Sequence, residues 1–355
     1  MNKFILYIFL LFLSFESIGQ TDSSKLTNRS RDYYVEDLTS KINISLFTYN
    51  AKNSFSYDSK GKIDYQPNEY LGIGIKVMHK WLGLAYVYAP TNLQEKSKGT
   101  TKYSNFTLNS YGKKIGMDFY YLNYDGYYIA NTNQIPELKN NNKPYVIRPD
   151  ISTTSIGSNL YYIFNHKKYS YRSTFLQNEI QKHSAGSFLV NGAFSYYNIN
   201  ADSSIVPTNL DKPNKIDADA SLRKGDFYSL CLMPGYAHTF VIKEKFFITL
   251  SAFLGANFQQ QQYYVGMEIS DKNKFIVAPK ASARIGLGYN GKRCYAGLAA
   301  IGDNYTLPLG ANEKLNYLMG NGTFYFGMRF NSPKAFEKVS SFMDKIPGIL
   351  LQRIN

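Results

Sequence analysis

Alternation of apolar and polar residues, sustained in one segment after another, is the feature that most limits what this chain can become. In Leu71-Gly72-Ile73-Gly74-Ile75-Lys76-Val77 every second residue is apolar, and glycine or lysine fills the positions between. A period of two puts one set of side chains on each face of an extended strand, whereas a helix needs a period near 3.6. The pattern recurs over 42–46, 82–86, 103–111, 115–121, 156–162, 188–198, 228–240, 246–258, 275–289, 295–301 and 323–330. With 169–177 read as one more, thirteen strands are recognisable. Several exceed the usual five or six residues, which suits strands that cross a bilayer.

The connections narrow the choice further. Short turns fall at His79-Lys80, Gly112-Lys113, Asn165-His166-Lys167, Lys243-Glu244-Lys245 and Asn290-Gly291, the last a hairpin signature. Longer polar stretches lie between them, at 59–68, 89–101, 130–150, 260–273 and 303–314. Barrels of the outer membrane alternate tight turns with long loops in this way. The alternation breaks once, and an ascending strand between Asp202 and Lys224 would restore it and bring the count to fourteen. That stretch, with Pro207 and Pro213, is a poor strand, so twelve stays open. The expected fold is an all-β antiparallel transmembrane barrel of about 12 to 14 strands.

Each strand would show Leu, Ile, Val, Phe and Tyr to lipid and Gly, Ser, Asn, Gln, Thr, Asp118 and Lys76 to the lumen. Aromatic pairs near strand ends (Tyr127-Tyr128, Tyr161-Tyr162, Tyr196-Tyr197, Phe246-Phe247, Tyr263-Tyr264) suggest an interfacial girdle. A sheet packed on a soluble core alternates identically, so an exported β-sandwich binding protein stands as an alternative.

Residues 1–19 read as a cleaved signal peptide: Lys3, an apolar run from Phe4 to Leu13, then Ser17-Ile18-Gly19 before Gln20. The exported chain would then comprise a periplasmic N-terminal tail (20–40), an outer-membrane β-barrel (41–330) and a periplasmic C-terminal helix (331–355). In that helix Phe336, Val339, Phe342 and Ile346 share one face as far as Pro347. Cys231 and Cys294 lie on strands three places apart, beyond disulfide reach, and are expected to be free. The strand ending Phe324-Tyr325-Phe326-Gly327-Met328-Arg329-Phe330 looks like the signal read by the barrel-assembly machinery, an expected partner.

Several segments resemble a known family in order along the chain: Tyr34-Val35-Glu36-Asp37-Leu38, Tyr65-Gln66-Pro67-Asn68, Arg148-Pro149-Asp150, the run from Gln181 to Leu189, Ala201-Asp202-Ser203-Ser204-Ile205-Val206-Pro207, and Pro234-Gly235-Tyr236-Ala237. On them the chain is similar to domain of unknown function 4421, found in outer-membrane proteins of the Bacteroidetes group. The resemblance covers nearly the whole exported chain. It implies an outer-membrane barrel and brings no activity.

The search for chemistry is correspondingly spare. Of the four histidines, His79 and His166 sit in basic turns, His238 is beside Thr239 near a strand end, and His183 is flanked by Ser184 and Ser187 in what reads as an external loop. His183 is the one candidate for an acyl hydrolase or transferase acting on lipid, which is the enzymatic alternative. Asp202, Asp211, Asp217, Asp219 and Asp226 form only a loose acidic group. No catalytic residue, cofactor or metal ligand set is therefore expected. The net charge of +14 arises from 40 basic and 26 acidic residues. Lys80, Lys113, Lys114, Lys167, Lys168, Lys243, Lys245, Lys292 and Arg293 all fall in short turns, hence at one rim facing anionic lipid headgroups. Nucleic acid is not an expected partner. The expected function is a non-enzymatic pore, a transport-associated barrel or a structural wall protein, with outer-membrane lipid as partner and small solutes as cargo.

Overall fold

Extended backbone leaves every N–H and C=O in need of a partner on a neighbouring strand, and a closed ring supplies one to each. A computed structural model of the chain describes residues 31–59, 61–69, 71–80, 82–88, 93–139, 143–207, 222–265, 272–309 and 313–333. The stretch read as a signal peptide, the start of the tail and the stretch read as a C-terminal helix beyond residue 333 lie outside the described residues.

The strands are β1 (Val35–Asp37), β2 (Lys41–Asp58), β3 (Lys62–Gln66), β4 (Gly72–His79), β5 (Leu82–Tyr88), β6 (Lys102–Tyr111), β7 (Ile115–Ile129), β8 (Val146–Ile163), β9 (Glu179–Gln181), β10 (Ala185–Asn200), β11 (Leu222–Ile242), β12 (Phe246–Val265), β13 (Lys272–Asn290), β14 (Cys294–Pro308) and β15 (Lys314–Asn331). Leaving out β1, β3 and β9, they pair antiparallel around a ring of twelve. The ring closes where β15 meets β2, from Lys314↔Asp58 to Asn331↔Lys41. β3 is an insert: near the loop ends it pairs with both β2 and β7, bypassing β4, β5 and β6. There three strands leave the ring and one enters.

Two expectations fail together. Residues 169–177 form no strand but a short helix, Arg172–Phe175, with its flanking turns inside the barrel. No further strand enters the ring between β10 and β11 either, because the two pair directly up to Asn200↔Lys224. The apparent break came from counting a lumenal segment as wall. Once Tyr169–Gln177 is removed, alternation is unbroken. The stretch 59–68, read as a loop, also contains β3.

The two faces divide broadly as expected. On β12 Phe246, Ile248, Leu250, Leu254 and Phe258 are exposed, while Thr249, Ser251, Asn257, Gln259 and Gln261 are buried. Tyrosine is the correction. Tyr57, Tyr65, Tyr111, Tyr124, Tyr127, Tyr161, Tyr263 and others fill the interior rather than face lipid. The paired aromatics therefore split: Tyr127, Tyr161, Phe247 and Tyr263 point inward, whereas Tyr162 and Phe246 point out. Consecutive side chains on a strand must leave by opposite faces. Interior glycines make room for the rings; a Cβ on Gly116 would come 2.2 Å from the ring of Tyr111, and one on Gly327 would come 2.2 Å from that of Tyr295. Cys231 and Cys294, on β11 and β14, are free thiols.

The turns at 80, 112–114, 243–245 and 291–293 all lie at the rim where β2 begins and β15 finishes, and their basic residues lie there with them. Asn165-His166-Lys167 lies at that rim too, but it opens a longer segment, 164–184, rather than forming a tight hairpin.

A candidate lumen site between two closures

The segment between β8 and β10 lacks a period of two, so it has no apolar face to offer lipid. It carries three Ser, three Lys and two Tyr, and it packs into the barrel at the turn rim. Its β9 pairs with β1 from the N-terminal stretch, Val35↔Gln181 through Asp37↔Glu179. At the centre sits Glu179, which is fully buried. Both of its oxygens accept from Arg31, at 2.8 and 2.7 Å, and it also accepts from Arg172 and Ser170. Burial opposes its ionisation, but the charges of Arg172 and Arg31 and the bonds from Arg172 and Ser170 outweigh that and hold its carboxyl down at about 2.

This plug is fastened to the wall. Asn290 Nδ2 donates to the carbonyls of Ser173 (2.9 Å) and Glu179 (3.0 Å). The carbonyl of Gln177 accepts from Asn43 Nδ2 (3.2 Å) and Arg329 Nε (3.0 Å). Gln177 holds a left-handed φ of 56°, uncommon for a residue other than glycine. Thr174 meets Thr249 at 2.6 Å, and it lies so near Gly286 that a Cβ there would come within 2.4 Å of its methyl carbon.

Above the plug is a chamber of about 200 Å³. Arg284 on β13 donates to Asp118 Oδ2 at 2.9 Å and to the hydroxyl of Tyr161, with its guanidinium 4.8 Å over the Tyr161 ring. Tyr111 Oη (2.8 Å) and Asn109 Nδ2 (2.7 Å) also donate to Asp118. Lys76 Nζ donates to the plug carbonyl of Phe175 at 3.1 Å. Asp303 also lines the chamber, and Lys280 Nζ lies 4.0 Å from it and 3.8 Å over the ring of Tyr305. Sequence reasoning placed Asp118 and Lys76 in the lumen correctly; Arg284, Lys280 and Asp303 it passed over, though each holds an inward position of the same period-two pattern.

A second closure lies at the loop ends. Arg148 donates Nε to Asp150 Oδ1 and Nη2 to Oδ2, both at 2.8 Å. It also donates to the carbonyls of Ile205 (3.0 Å) and Ser204 (2.9 Å) and to Ser203 Oγ (3.3 Å). Tyr65 donates its hydroxyl to the Ile205 carbonyl, and Ile205 and Val206 are buried against the aromatic core. The segments that carried the family resemblance thus meet in space. Tyr34–Leu38 lies against 179–185 at one end, and Tyr65, Arg148–Asp150 and 201–207 lie together at the other.

The candidate acyl-transfer residues do not converge. His183 lies at the rim of the tight turns rather than among the long loops, with its ring stacked 4.1 Å from that of Tyr33. The hydroxyl of Ser184 accepts from the Val241 amide. His238 contacts Tyr236 and Phe240 on the outer face. Burial first, then the charge of Lys114, push His166 below its ordinary value. Asp226 accepts from Tyr196 (2.6 Å) and Asn198 (2.8 Å), while Asp211, Asp217 and Asp219 lie outside the described residues. Among the described residues no three His, Cys, Asp or Glu side chains gather into a metal-binding group.

A family model described as "Domain of unknown function (DUF4421)" matches residues 24–330. No curated protein matches the sequence. Among solved structures, the chain is similar to the outer membrane protease OmpT from Escherichia coli, at 10% identity over 82% of this chain and 97% of that one, with a TM-score of 0.38. It is similar also to the beta domain of the Bordetella autotransporter BrkA (12% identity, 82% and 100% covered, TM-score 0.35). A third is the P. putida toluene transporter TodX (10% identity, 82% and 91% covered, TM-score 0.28).

Proposed function

The chain belongs to the DUF4421 family, a domain of unknown function with no activity to pass on, and from its geometry we propose a non-enzymatic, transport-associated barrel of the outer membrane that is shut at rest. One observation carries this reading: the plug formed by 164–184 and β1, bonded through Glu179, Gln177 and Asn290 across the lumen. An exterior of exposed Leu, Ile, Phe and Val on the ring strands supports seating in a bilayer. The basic turn rim would face the anionic headgroups of the inner leaflet, so that rim is periplasmic. Outward-facing Phe324, Phe326, Met328 and Phe330 on β15 support delivery by the barrel-assembly machinery. A wholly structural barrel would have no use for a polar chamber between two closures, which favours transport over a wall role.

Planar-bilayer recording tests the reading. The wild-type protein is expected to stay at baseline, and the triple variant Arg148→Ala, Arg172→Ala and Glu179→Ala, which loosens both closures, is expected to give intermittent conductance steps. Steady steps from the wild type would overturn the shut barrel. A triple variant that remains silent would remove a path along the barrel axis.

A further inference from the structure

With both ends closed, the weak place in the barrel is its side. β2 pairs with β4 only as far as Tyr49↔Gly72, and with β3 only from Phe55↔Tyr65 onward, so residues 50–54 lack a ladder partner on that edge among the described residues. β5 and β6 pair through four rungs, Leu82↔Ser110 to Ala85↔Thr107. Beyond these, Tyr86–Tyr88 and Ser104–Phe106 have no ladder partner across that seam among the described residues.

Side chains close the gap that the backbone leaves. Asn53 Nδ2 donates to the Tyr124 hydroxyl (2.6 Å) and to Glu69 Oε1 (3.3 Å), and Asn105 Nδ2 donates to the same hydroxyl (2.8 Å). Tyr103 stacks on Tyr124 with centroids 5.4 Å apart. A few side-chain bonds are modest in net strength beside a continuous cooperative ladder. From inside, the chamber reaches this seam, because Tyr49, Asn53, Ala85 and Thr107 line it. From outside the seam is flanked by exposed Ile73, Tyr86, Tyr88 and Phe106.

We propose that the seam is a side entrance through which a small amphiphile, uncharged or zwitterionic, passes between the membrane and the chamber. The inference rests on the transport reading and names its substrate class. Size follows from volume: a cavity of about 150 Å³ takes up a benzene-sized molecule, so 200 Å³ holds one small ring or a short chain and no whole lipid. Charge follows from the lining, where Lys76 and Arg284 balance Asp118 and Asp303. A ligand of net charge would leave a buried charge uncompensated. Its polar group would meet Asn109, Asp118 and Arg284, and its apolar part Phe47 and Tyr325.

Thiol labelling in sealed proteoliposomes decides the matter, in a background carrying Cys231→Ala and Cys294→Ala. The reporter is Ala299→Cys, which lines the chamber. The control is Ser229→Cys, which is buried in the lumen and is not part of the chamber lining. Rates are normalised to free cysteine for N-phenylmaleimide, which partitions into the bilayer, and for a charged sulfonate methanethiosulfonate. N-phenylmaleimide is expected to label the reporter at least tenfold faster than the control, and the sulfonate to label neither. Thr107→Trp, at the inner mouth, is expected to slow the reporter about tenfold, and Tyr124→Phe to speed it severalfold. Labelling by the sulfonate would mean access through an end, which overturns the shut barrel itself. Failure of N-phenylmaleimide to label, or indifference to Thr107→Trp with the heat-dependent gel shift retained, overturns the side entrance alone. Where a variant does not fold, the ratio of the two reagents on the reporter decides by itself.

Discussion

Glu179 shows how much a single ionised group can carry when it is buried. It is fully shielded from solvent, and its charge persists because Arg31 and Arg172 lie against it. Its folded pKa of about 2 lies below the ordinary carboxylate value, so it contributes stability above pH ~4.5 and loses that contribution as the pH falls toward 2. We expect the barrel's unfolding temperature to be flat from neutral pH to about 5 and to drop below pH 4, with Glu179→Gln lower at neutral pH and much less dependent on pH. Removing one partner of such a group typically costs about 3–5 kcal/mol, so Arg172→Ala is expected to weaken the plug by that order in differential scanning calorimetry. An unaltered acid limb in Glu179→Gln would show that another group governs the closure. None of this was legible in the sequence, because Arg31 and Glu179 are far apart along the chain and nothing in their local pattern marks them as partners.

At the scale of elements, the same alternation that announced the wall strands also marked which residues enter the lumen. It failed where a segment touches no lipid. Tyr169–Gln177 has the tyrosines of a strand, but Tyr171 packs against Tyr111, Tyr161 and Tyr169 inside the barrel, so β-propensity misread a plug as wall. The girdle reading holds only for outward rings such as Tyr162 and Phe246, because rings suited to an interface also suit a narrow interior in which opposed glycines leave room. The loop-end closure makes a separate prediction. Arg148 binds 201–207 through two carbonyls and a serine hydroxyl. Arg148→Ala should release that segment and raise its proteinase K cleavage rate about tenfold, equivalent to ~1.4 kcal/mol, without changing the heat-dependent migration of the barrel. Unchanged cleavage would mean that burial of Ile205 and Val206 holds the segment unaided.

For the whole molecule, closure of twelve strands leaves no open edge strand, so the folded state should resist detergent at room temperature and yield only to heat. Unboiled protein is expected to migrate faster than boiled protein on a denaturing gel, and extraction from membranes should require detergent. A chain that dissolves as a monomer in plain buffer would be no transmembrane barrel. What the sequence determined by itself is what a short-range rule can carry: a period of two sets each strand's faces, and turn chemistry puts the tight reversals and their lysines at one rim. Tertiary structure alone decided the number of strands in the ring, the filling of the lumen, the pairing of β1 with β9 and the seam beside β4 and β5. Those depend on which distant residues come to share an interior, and a linear pattern holds no record of contacts made across a closed ring.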